Sequence, residues 1–418
     1  MTYIIKTGAR RRGLTAGAGL AALTCAAALG ATPSQAQTAP PTAETPASEV
    51  SEIVVTALKS GAQEISRVPL AIQAFSEETL KDKGVRDGAD LIALIPGASQ
   101  AQEIGAGYRV FSFRGSGAGG AIGDGMIGYY LDDTPFGVPN FQAAPPVQYF
   151  DLERVEVLRG PQGTLYGSGS MGGTIIYRTR NPSLDHVTAQ LESELSTTEN
   201  ASDPNYRVAG AVSVPLIEDV LGLRLSGGYD YRQGYNDIYS GAPTGDPRET
   251  DANTVVSEDL QAILLWRPDD RTTVRLRAWK FSTDQDYLNV MNSVSPPYAS
   301  YQGDVVGYDR RRAEYYSSTI TREFSNYTVT NATSYQKSLP GGFQVGLNLG
   351  SPLGIGTLTN GGDADNFVNE FRIATSGEGP LHVVGGVFYQ KAEGLYTFNL
   401  DFPSLQLSGQ TITRTKNA

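Results

Sequence analysis

Apolar and polar residues alternate over long stretches of the second part of this chain, from about residue 184 to residue 418. In one stretch Leu223 and Leu225 fall on one face of an extended backbone, while Arg224 and Asp230 fall on the other, which is the period-two pattern of a β-strand. The strands are joined by short turns such as "RPDDRT" and by long loops such as "GAPTGDPRETDAN". This arrangement is typical of an outer-membrane β-barrel; the alternative is a secreted, soluble β-sandwich.

Residues 58–183 have a different texture, in which an α+β pattern runs from about residue 70 to residue 182. "LAIQAF" predicts a strand, and Ser76 followed by two glutamates predicts a helix start with acidic residues in its first turn. "DGADLIALIPG" predicts a second helix that ends at Pro96. Further strands are predicted in "YRVFSFRG", "GYYLDDTPF", "ERVEVLRG" and "TIIYRT". The pattern indicates a compact unit of a small mixed sheet and helices.

Two glycine-rich stretches, "GSGSMG" and "GSGAGG", fit the G-x-G-x-x-G template of a dinucleotide-binding turn. That turn requires a helix whose N-terminus meets the pyrophosphate. After Gly173, however, the run "TIIY" predicts a strand, and further glycines follow the second stretch. We therefore interpret the glycines as serving tight turns rather than nucleotide binding.

The N-terminal residues 1–36 predict a secretory signal peptide that is removed. Lys6 and three arginines precede an apolar run from Leu14 to Ala31, and Ser34–Ala36 supplies small residues before a cleavage point. Residues 37–50 are rich in proline, threonine and alanine and predict a flexible linker. Residues 51–57, "SEIVVTA", then form an isolated apolar patch of high strand propensity, either a first strand or a strand offered to a partner's sheet edge.

Charge and composition exclude several classes of function. Removing residues 1–36 lowers the net charge from -11 to about -15, and an acidic chain is a poor ligand for nucleic acid. It also removes Cys25, which is the sole cysteine, and leaves only His186 and His382 as histidines. A metal site of histidines and cysteines and a histidine-based catalytic triad are thereby disfavoured.

Several motifs together resemble the TonB-dependent outer-membrane receptor family. They are "SEIVVTA", "RVPLAIQAFS", "LIALIPGAS", "FRG", "YLDDTPF" and above all "FDLERVEVLRGPQGTLYGSGSMGGTIIYRTRNP", and they cover about residues 51–182. "NEFRIAT" and "VVGGVFYQ" resemble that family's barrel strands. The sequence departs from the family at "LDDT", where members often have a turn of the Val-Asp-Gly-Val type.

The resemblance implies a membrane β-barrel with an α+β plug, exported to the outer membrane of a Gram-negative cell. Such a receptor imports a scarce nutrient of the iron chelate, vitamin or oligosaccharide class, without a cofactor and without enzymatic chemistry. The implied partners are the periplasmic domain of TonB, outer-membrane lipid, the barrel assembly machinery and an extracellular small-molecule or glycan ligand, with no nucleic acid. Residues 58–183 become the plug domain and residues 184–418 a partial barrel.

The resemblance also implies site residues. The TonB box, residues 51–57, contributes the pairing residues Glu52, Ile53, Val54, Val55, Thr56 and Ala57. Plug arginines Arg114 and Arg159 are expected to meet barrel glutamates, for which Glu370 is the candidate. Substrate contacts are expected from plug apex loops, with Tyr108 and Asp124 as candidates.

Two other classes compete with a receptor. A secreted glycosidase would need a pair of carboxylates, for which Asp151 and Glu153 in "DLE" are the nominees. A structural or adhesive surface protein would need no chemical site.

The number of strands sets a further expectation. About 235 residues follow the plug, and each strand of roughly 9 to 11 residues with its share of loops uses over 20, which allows about ten strands. Only about 22 strands enclose a lumen wide enough for a plug. We therefore expect an incomplete, open antiparallel barrel of about ten strands, as in a truncated gene or a fragment of a longer chain.

Overall fold

The computed structural model of the protein describes residues 54–56, 59, 63–64, 70–106, 108–116, 125–137, 143–239, 245–288, 299–301, 304–348, 355–376 and 382–417. The predicted signal peptide and linker lie outside these residues. None of the helices within the described ranges is long and apolar enough to cross a membrane.

The first part of the chain forms the predicted α+β unit, here called the plug. Its elements are β1 (Val54–Val55), β2 (Gln63–Glu64), β3 (Ile72–Ser76), α1 (Glu77–Asp82), α2 (Gly88–Ala93), β4 (Ala98–Gly105), β5 (Tyr108–Phe113), β6 (Ile127–Leu131), β7 (Thr134–Pro135), β8 (Leu152–Arg159), α3 (Gly163–Tyr166) and β9 (Gly173–Thr179). Five of them form a sheet in the order β3-β8-β9-β6-β7, in which β6 and β9 are parallel. β1 pairs with β2, and β4 pairs with β5.

Local sequence signals explain the plug helices. The hydroxyl of Ser76 accepts a hydrogen bond from the backbone N–H of Thr79 at 3.2 Å, which caps α1 as predicted. Asp87 caps α2, since its carboxylate accepts from the N–H of Ala89 at 2.9 Å. The strand predicted after the glycine-rich run is β9, which begins at Gly173.

Gly173 shows what one of the plug glycines does. It has a φ of +156°, and a Cβ added to it would collide with the ring of Phe113 and lie 2.5 Å from the carbonyl oxygen of Leu158. A residue without a side chain is needed where backbones approach this closely.

The second part forms one large antiparallel sheet. Its strands, with two short strands from the loops, are β10 (Thr188–Ser196), β11 (Asn205–Ile217), β12 (Leu221–Arg232), β13 (Asp237–Tyr239), β14 (Val255–Asp269), β15 (Thr272–Asp286), β16 (Ala299–Tyr301), β17 (Tyr308–Glu323), β18 (Tyr327–Asn348), β19 (Ile355–Thr375), β20 (Val384–Phe402) and β21 (Leu407–Asn417). The sheet has ten strands in the order β10-β11-β12-β14-β15-β17-β18-β19-β20-β21. Among the described strands β10 and β21 are its two edges, so the expected open sheet of about ten strands is confirmed.

The connections differ between the two ends of the sheet. β11 and β12, β14 and β15, and β17 and β18 are joined by turns of two or three residues, at the end here called the short-turn end. At the opposite, long-loop end, residues 233–254 and 287–307 separate sheet strands, and the parallel pair of β13 and β16 links these two loops. This asymmetry is the one that the sequence predicted for an outer-membrane barrel.

The two faces of the sheet differ in polarity. On β12 the side chains of Arg224 and Asp230 are buried, while Leu225 and Tyr229 are exposed, as the alternation predicted. The same outward exposure of large apolar side chains recurs on other strands, at Leu191, Leu195, Val208, Val212, Leu260, Leu276, Ile320, Phe371 and Ile373. The inward face of β15 and β17 packs against the plug, whereas most described side chains of the edge strand β21 are exposed.

Aromatic side chains join the plug to the sheet. The ring of Phe136, which follows β7, stacks on Trp279 with centroids 5.5 Å apart and meets the edges of Phe281 and Tyr315 at 5.9 and 5.2 Å. All four side chains belong to the largest hydrophobic cluster, which also contains the plug's central strands. The plug is therefore packed against the inner face of the sheet over a shared core.

Candidate functional site

The segment predicted as the TonB box is folded against the plug. Val54 and Val55 form β1 and pair antiparallel with β2. The side chain of Val55 is only 1% exposed. The backbone N–H and the hydroxyl of Thr56 both donate to the carboxylate of Glu156, each at 3.2 Å. Glu52, Ile53 and Ala57 lie outside the described residues.

Lys59 anchors the chain just beyond this segment. Its ammonium lies 2.7 Å from the Glu370 carboxylate on β19, and 5.4 and 5.0 Å from the ring centroids of Tyr130 and Tyr166 in the plug. Burial lowers the pKa of the Lys59 ammonium, although Glu370 favours its charged form. The N-terminal segment is thus attached to the plug through Thr56 and to the sheet through Lys59.

Asp132, in the turn between β6 and β7, joins the plug to β15. Its carboxylate accepts from the guanidinium groups of Arg275 and Arg277. It also accepts from the backbone N–H of Thr179 at 3.0 Å and from the Thr179 hydroxyl at 3.1 Å. Burial alone would raise the pKa of Asp132, but the neighbouring guanidinium groups outweigh it and hold this pKa below its ordinary value.

Asp133 makes a similar contact with β19. Its carboxylate accepts from Arg372 at 2.8 Å and lies 3.9 Å from Arg178 of the plug. Arg372 also pairs with Glu370 at 3.3 Å. The ion pair of Asp133 and Arg372 is therefore connected, through Glu370, to the ion pair that holds Lys59.

A third aspartate, Asp151, joins the plug to β12. Both of its oxygens accept from Nε of Arg224, at 2.9 and 3.0 Å, and both side chains are buried. We call the plug carboxylates and the sheet guanidinium groups of these three contacts the aspartate–arginine clamp; its members are Asp132, Asp133, Asp151, Arg224, Arg275, Arg277 and Arg372. The arginines all lie near the short-turn end of their strands.

The predicted contact of Arg114 and Arg159 with Glu370 is not the one that the structure shows, because each of these residues has other partners. The oxygens of Glu370 bind Lys59 and Arg372, whereas Arg159 donates to the carbonyl oxygen of Pro96 at 3.2 Å. Arg114 is exposed, and its backbone N–H donates to the carbonyl oxygen of Gly97 at 2.7 Å. At the clamp the charges are reversed relative to the prediction, because the plug supplies carboxylates and the sheet supplies guanidinium groups.

The carboxylates nominated for a glycosidase do not form a pair. Asp151 is buried and neutralised by Arg224, while Glu153 is exposed and pairs with Arg154. Each has a structural partner, so this motif gives no support to an enzyme. Within the described residues there is also no group of three or more histidine, cysteine, aspartate or glutamate side chains placed to hold a metal ion.

A cavity toward the long-loop end lies between the plug and β17 to β20. Its wall includes Arg311, Gln336, Asn360 and Tyr396. Both neighbouring strand pairs are irregular there, with register shifts between Arg310 and Ala313 and between Ser338 and Gly341. Bulges of this kind reorient side chains and are common beside binding sites.

Known proteins share the sequence of the plug. Residues 64–174 match the family described as "TonB-dependent Receptor Plug Domain". The pesticin receptor of Yersinia pestis is 31% identical over 140 residues, which are 34% of this chain and 20% of that receptor. The iron-regulated outer membrane virulence protein of Vibrio cholerae is 30% identical over 188 residues, 43% of this chain and 28% of that protein. Residues 64–174 therefore carry the plug domain of TonB-dependent receptors.

Solved receptors share the arrangement of plug and sheet. The ferric yersiniabactin uptake receptor of Yersinia pestis superposes with a TM-score of 0.67 at 20% identity, over 83% of this chain and 52% of that one. The ferric citrate transporter in its unliganded form superposes with a TM-score of 0.62 at 16% identity, over 83% and 51%. The chain therefore spans about half the length of the solved receptors it matches.

Sequence reasoning missed Lys59 and the roles of the two aspartates between β6 and β7. Asp133 stands in the "LDDT" stretch at the place of the glycine in the Val-Asp-Gly-Val type of turn, and that departure was the available signal for it, whereas Asp132 keeps the aspartate of that turn. Lys59 had no signal in the sequence. Of the predicted substrate contacts, Tyr108 begins β5 and Asp124 lies outside the described residues.

Proposed function

We propose that this chain provides the plug and part of the barrel of an outer-membrane receptor that takes up an iron chelate with energy supplied through TonB. The observation that carries the proposal is a plug that packs on the inner face of an antiparallel sheet and has at its N-terminal end a short strand, β1, of the kind that adds to a partner's sheet. The names of related proteins, which include a probable siderophore receptor of Acinetobacter baumannii and a ferric yersiniabactin receptor, support the iron chelate class.

The outward face of the sheet supports residence in the outer membrane. Its exposed leucine, isoleucine, valine and phenylalanine side chains form a surface that water disfavours and lipid accepts. A secreted soluble protein would have to leave this surface in water. Outer-membrane lipid and the assembly machinery that inserts barrels are therefore the partners we assign to this face.

The cavity lined by Arg311, Gln336, Asn360 and Tyr396 is the place we assign to the ligand, together with the apex positions Tyr108 and Asp124. A guanidinium group, two carboxamides and a phenol can bind the oxygen atoms of an anionic chelate. Its position toward the long loops supports this assignment, because an extracellular ligand would arrive from that side.

The test separates energy coupling from ligand binding. Val54→Pro removes a backbone N–H and fixes φ in the strand predicted to pair with TonB. We expect uptake of a labelled ferric siderophore to be abolished while its binding to cells stays within about twofold of the parent. A panel of ferric siderophores, cobalamin and oligosaccharides identifies the ligand class. Equal loss of binding and uptake would indicate a folding defect and contradict the assignment of the box.

A further inference from the structure

A second cavity lies between the plug and the strands β19 and β20, beside β6 and α3 of the plug. Its volume is about 650 Å³, and pockets that enclose a small molecule range from about 300 to 1,000 Å³. The space is therefore large enough for a small chelate. We call it the inner cavity; its wall includes Tyr129, Phe136, Tyr166, Asn366, Phe388 and Gln390.

The inner cavity adjoins the cavity assigned above to the ligand, which we call the outer cavity. Gly137 and Ala143 of the plug line both cavities. From this junction the inner cavity extends along β19 as far as Arg372, close to the short-turn end of that strand at Thr375. The two cavities together therefore follow the boundary between plug and sheet from the long-loop side toward the short-turn side.

Glycines keep the plug side of the inner cavity open. Gly163 begins α3, and Gly169 lies in the 3₁₀ turn that follows it. A Cβ built on either one would have its nearest described neighbour at 3.7 Å, and a Cβ built on Gly137 would meet no described atom within 4 Å. None of the three has a φ in the left-handed region. The fold of the plug therefore tolerates side chains here, and their absence leaves space for a ligand.

The polar groups of the inner cavity fit an oxygen-rich chelate. Tyr129 is buried, and its hydroxyl has no hydrogen-bond partner among the residues that the structure describes. A buried hydroxyl without a partner costs free energy, which a bound ligand or water recovers. From the sheet, the carboxamide of Gln390 donates to that of Asn366 at 2.9 Å. Phenol and carboxamide groups donate hydrogen bonds without carrying a charge.

The inner cavity is expected to bind an anionic chelate only weakly. The cationic side chains described in its wall are occupied, since Lys59 pairs with Glu370, and Arg372 pairs with Glu370 and Asp133. Uncharged donors bind an anion less tightly than a free guanidinium or ammonium group does. Weak binding is what a site along a route requires, because the ligand must also leave it.

We propose that the inner cavity is a second binding site for the chelate, which enters it from the outer cavity past Gly137 and leaves it toward the short-turn end. The inference rests on the proposed uptake function and adds the route. On this route the ligand moves between the plug and the strands β19 and β20. The five-stranded sheet of the plug then keeps its pairing during passage.

The experiment obstructs the route at two points with a large side chain. Gly137→Trp narrows the junction of the two cavities, and Gly163→Trp fills part of the inner cavity. Gly409→Trp is the matched control, because Gly409 lies on β21 outside both cavities and a Cβ built on it meets no described atom within 4 Å. Gly163→Ala tests whether the size of the side chain decides the effect.

The measurement compares binding of a chelate to de-energised cells with its accumulation in energised cells. The probes are radiolabelled ferric citrate and ferric yersiniabactin, the two chelates for which solved relatives are named. Binding reports the outer cavity, and accumulation reports passage through the inner one.

We expect accumulation to fall at least about tenfold in Gly137→Trp and Gly163→Trp, which corresponds to about 1.4 kcal/mol on the barrier, while binding stays within about twofold of the parent. Gly163→Ala and Gly409→Trp should accumulate the chelate at the parent rate. Parent-level accumulation in either obstructed variant would overturn the route. Loss of binding in Gly163→Trp would also overturn it, because the inner cavity would then be part of the outer site.

A cysteine in the inner cavity reports occupancy separately from uptake. The native cysteine, Cys25, lies in the predicted signal peptide, so Phe388→Cys supplies the thiol that a small maleimide labels. Whichever of the two chelates binds should slow this labelling at least about threefold, since only unoccupied sites react, and should not slow it in the Gly137→Trp background. Accumulation without protection would keep the uptake function and contradict the inner site. Protection without accumulation would keep the site and contradict the uptake function.

Discussion

Replacing Asp132 by asparagine tests whether the aspartate–arginine clamp holds the plug in place. The substitution keeps the size of the side chain but removes the charge that faces Arg275 and Arg277. The side chain of Arg277 is 1% exposed, so its guanidinium would remain buried without its counter-ion. Removing one partner of a buried pair costs about 3 to 5 kcal/mol, mainly because the remaining charge is uncompensated.

A surface pair provides the control for this magnitude. Asp284 and Arg312 are 2.9 Å apart with side chains 40% and 48% exposed, and an exposed pair of this kind contributes up to about 1 kcal/mol. Asp132→Asn should therefore weaken plug anchoring several times more than Asp284→Asn. Adding Arg277→Met to Asp132→Asn should recover part of the loss, because it removes the uncompensated charge.

Trp279 offers the assay. It stacks on Phe136 of the plug, whereas Trp266, the only other tryptophan, is exposed. In a Trp266→Phe background, tryptophan fluorescence during a urea titration of the receptor in bilayers reports displacement of the plug. A loss for Asp132→Asn within about 0.5 kcal/mol of the loss for Asp284→Asn would refute the role of the clamp.

Three further predictions follow from the same geometry. The pKa values of Asp132 and Asp133 lie below their ordinary value of 3.8, so their contribution to plug anchoring should be complete above about pH 4 and be lost only as the pH falls lower. Urea titrations at pH 7, 5 and 3 measure this contribution. A loss of plug anchoring between pH 7 and pH 5 would contradict the prediction. Arg311→Met should weaken binding of an anionic chelate by about tenfold, since a hydrogen bond to a charged group contributes about 1.5 to 3 kcal/mol. The control is Arg322→Met, because Arg322 lies on the same strand, β17, but is exposed, and this substitution should leave the affinity unchanged. Equal affinities of the two variants would contradict ligand binding in the cavity. Expressed as these 418 residues alone, the chain should not give the heat-modifiable band of a closed barrel in electrophoresis. The reason is that the edge strands β10 and β21 would leave backbone groups unpaired in lipid. A heat-modifiable, detergent-resistant species would show that the sheet closes by another route.

The charge arrangement at the clamp bears on how the plug is retained. Three strands of the sheet, β12, β15 and β19, each direct arginine side chains inward near the short-turn end. The plug meets them with aspartates in short loops next to its central sheet. An aspartate has a short side chain, so a small shift of the plug would separate each charge from its partner. The clamp is therefore expected to hold the plug in one register rather than in several.

Local chemistry determined the long sheet strands and the helices α1 and α2 of this protein, and the sequence was sufficient to predict them. Alternation at period two identified the sheet strands because apolar side chains on one face of a strand are exposed while polar side chains on the other face are buried, as Leu225 and Arg224 show on β12. Ser76 marked the start of α1 because a hydroxyl can accept from an N–H that has no partner within the helix. The plug motif indicated its domain family because its glycines lie where backbones approach closely and its apolar residues pack in one core.

The partners of the charged residues were decided only by the tertiary structure. Asp132 and Arg275 are 143 positions apart, and they meet because the plug is inserted against β15 at one particular depth. Any inward guanidinium or carboxylate satisfies the alternation equally well, so the sequence pattern could not tell which charges would pair, and the pairing predicted for Arg114, Arg159 and Glu370 was wrong for this reason. Lys59 is the extreme case, since its partners Tyr130, Tyr166 and Glu370 come from β6, α3 and β19, and only the folded chain brings those elements to one point.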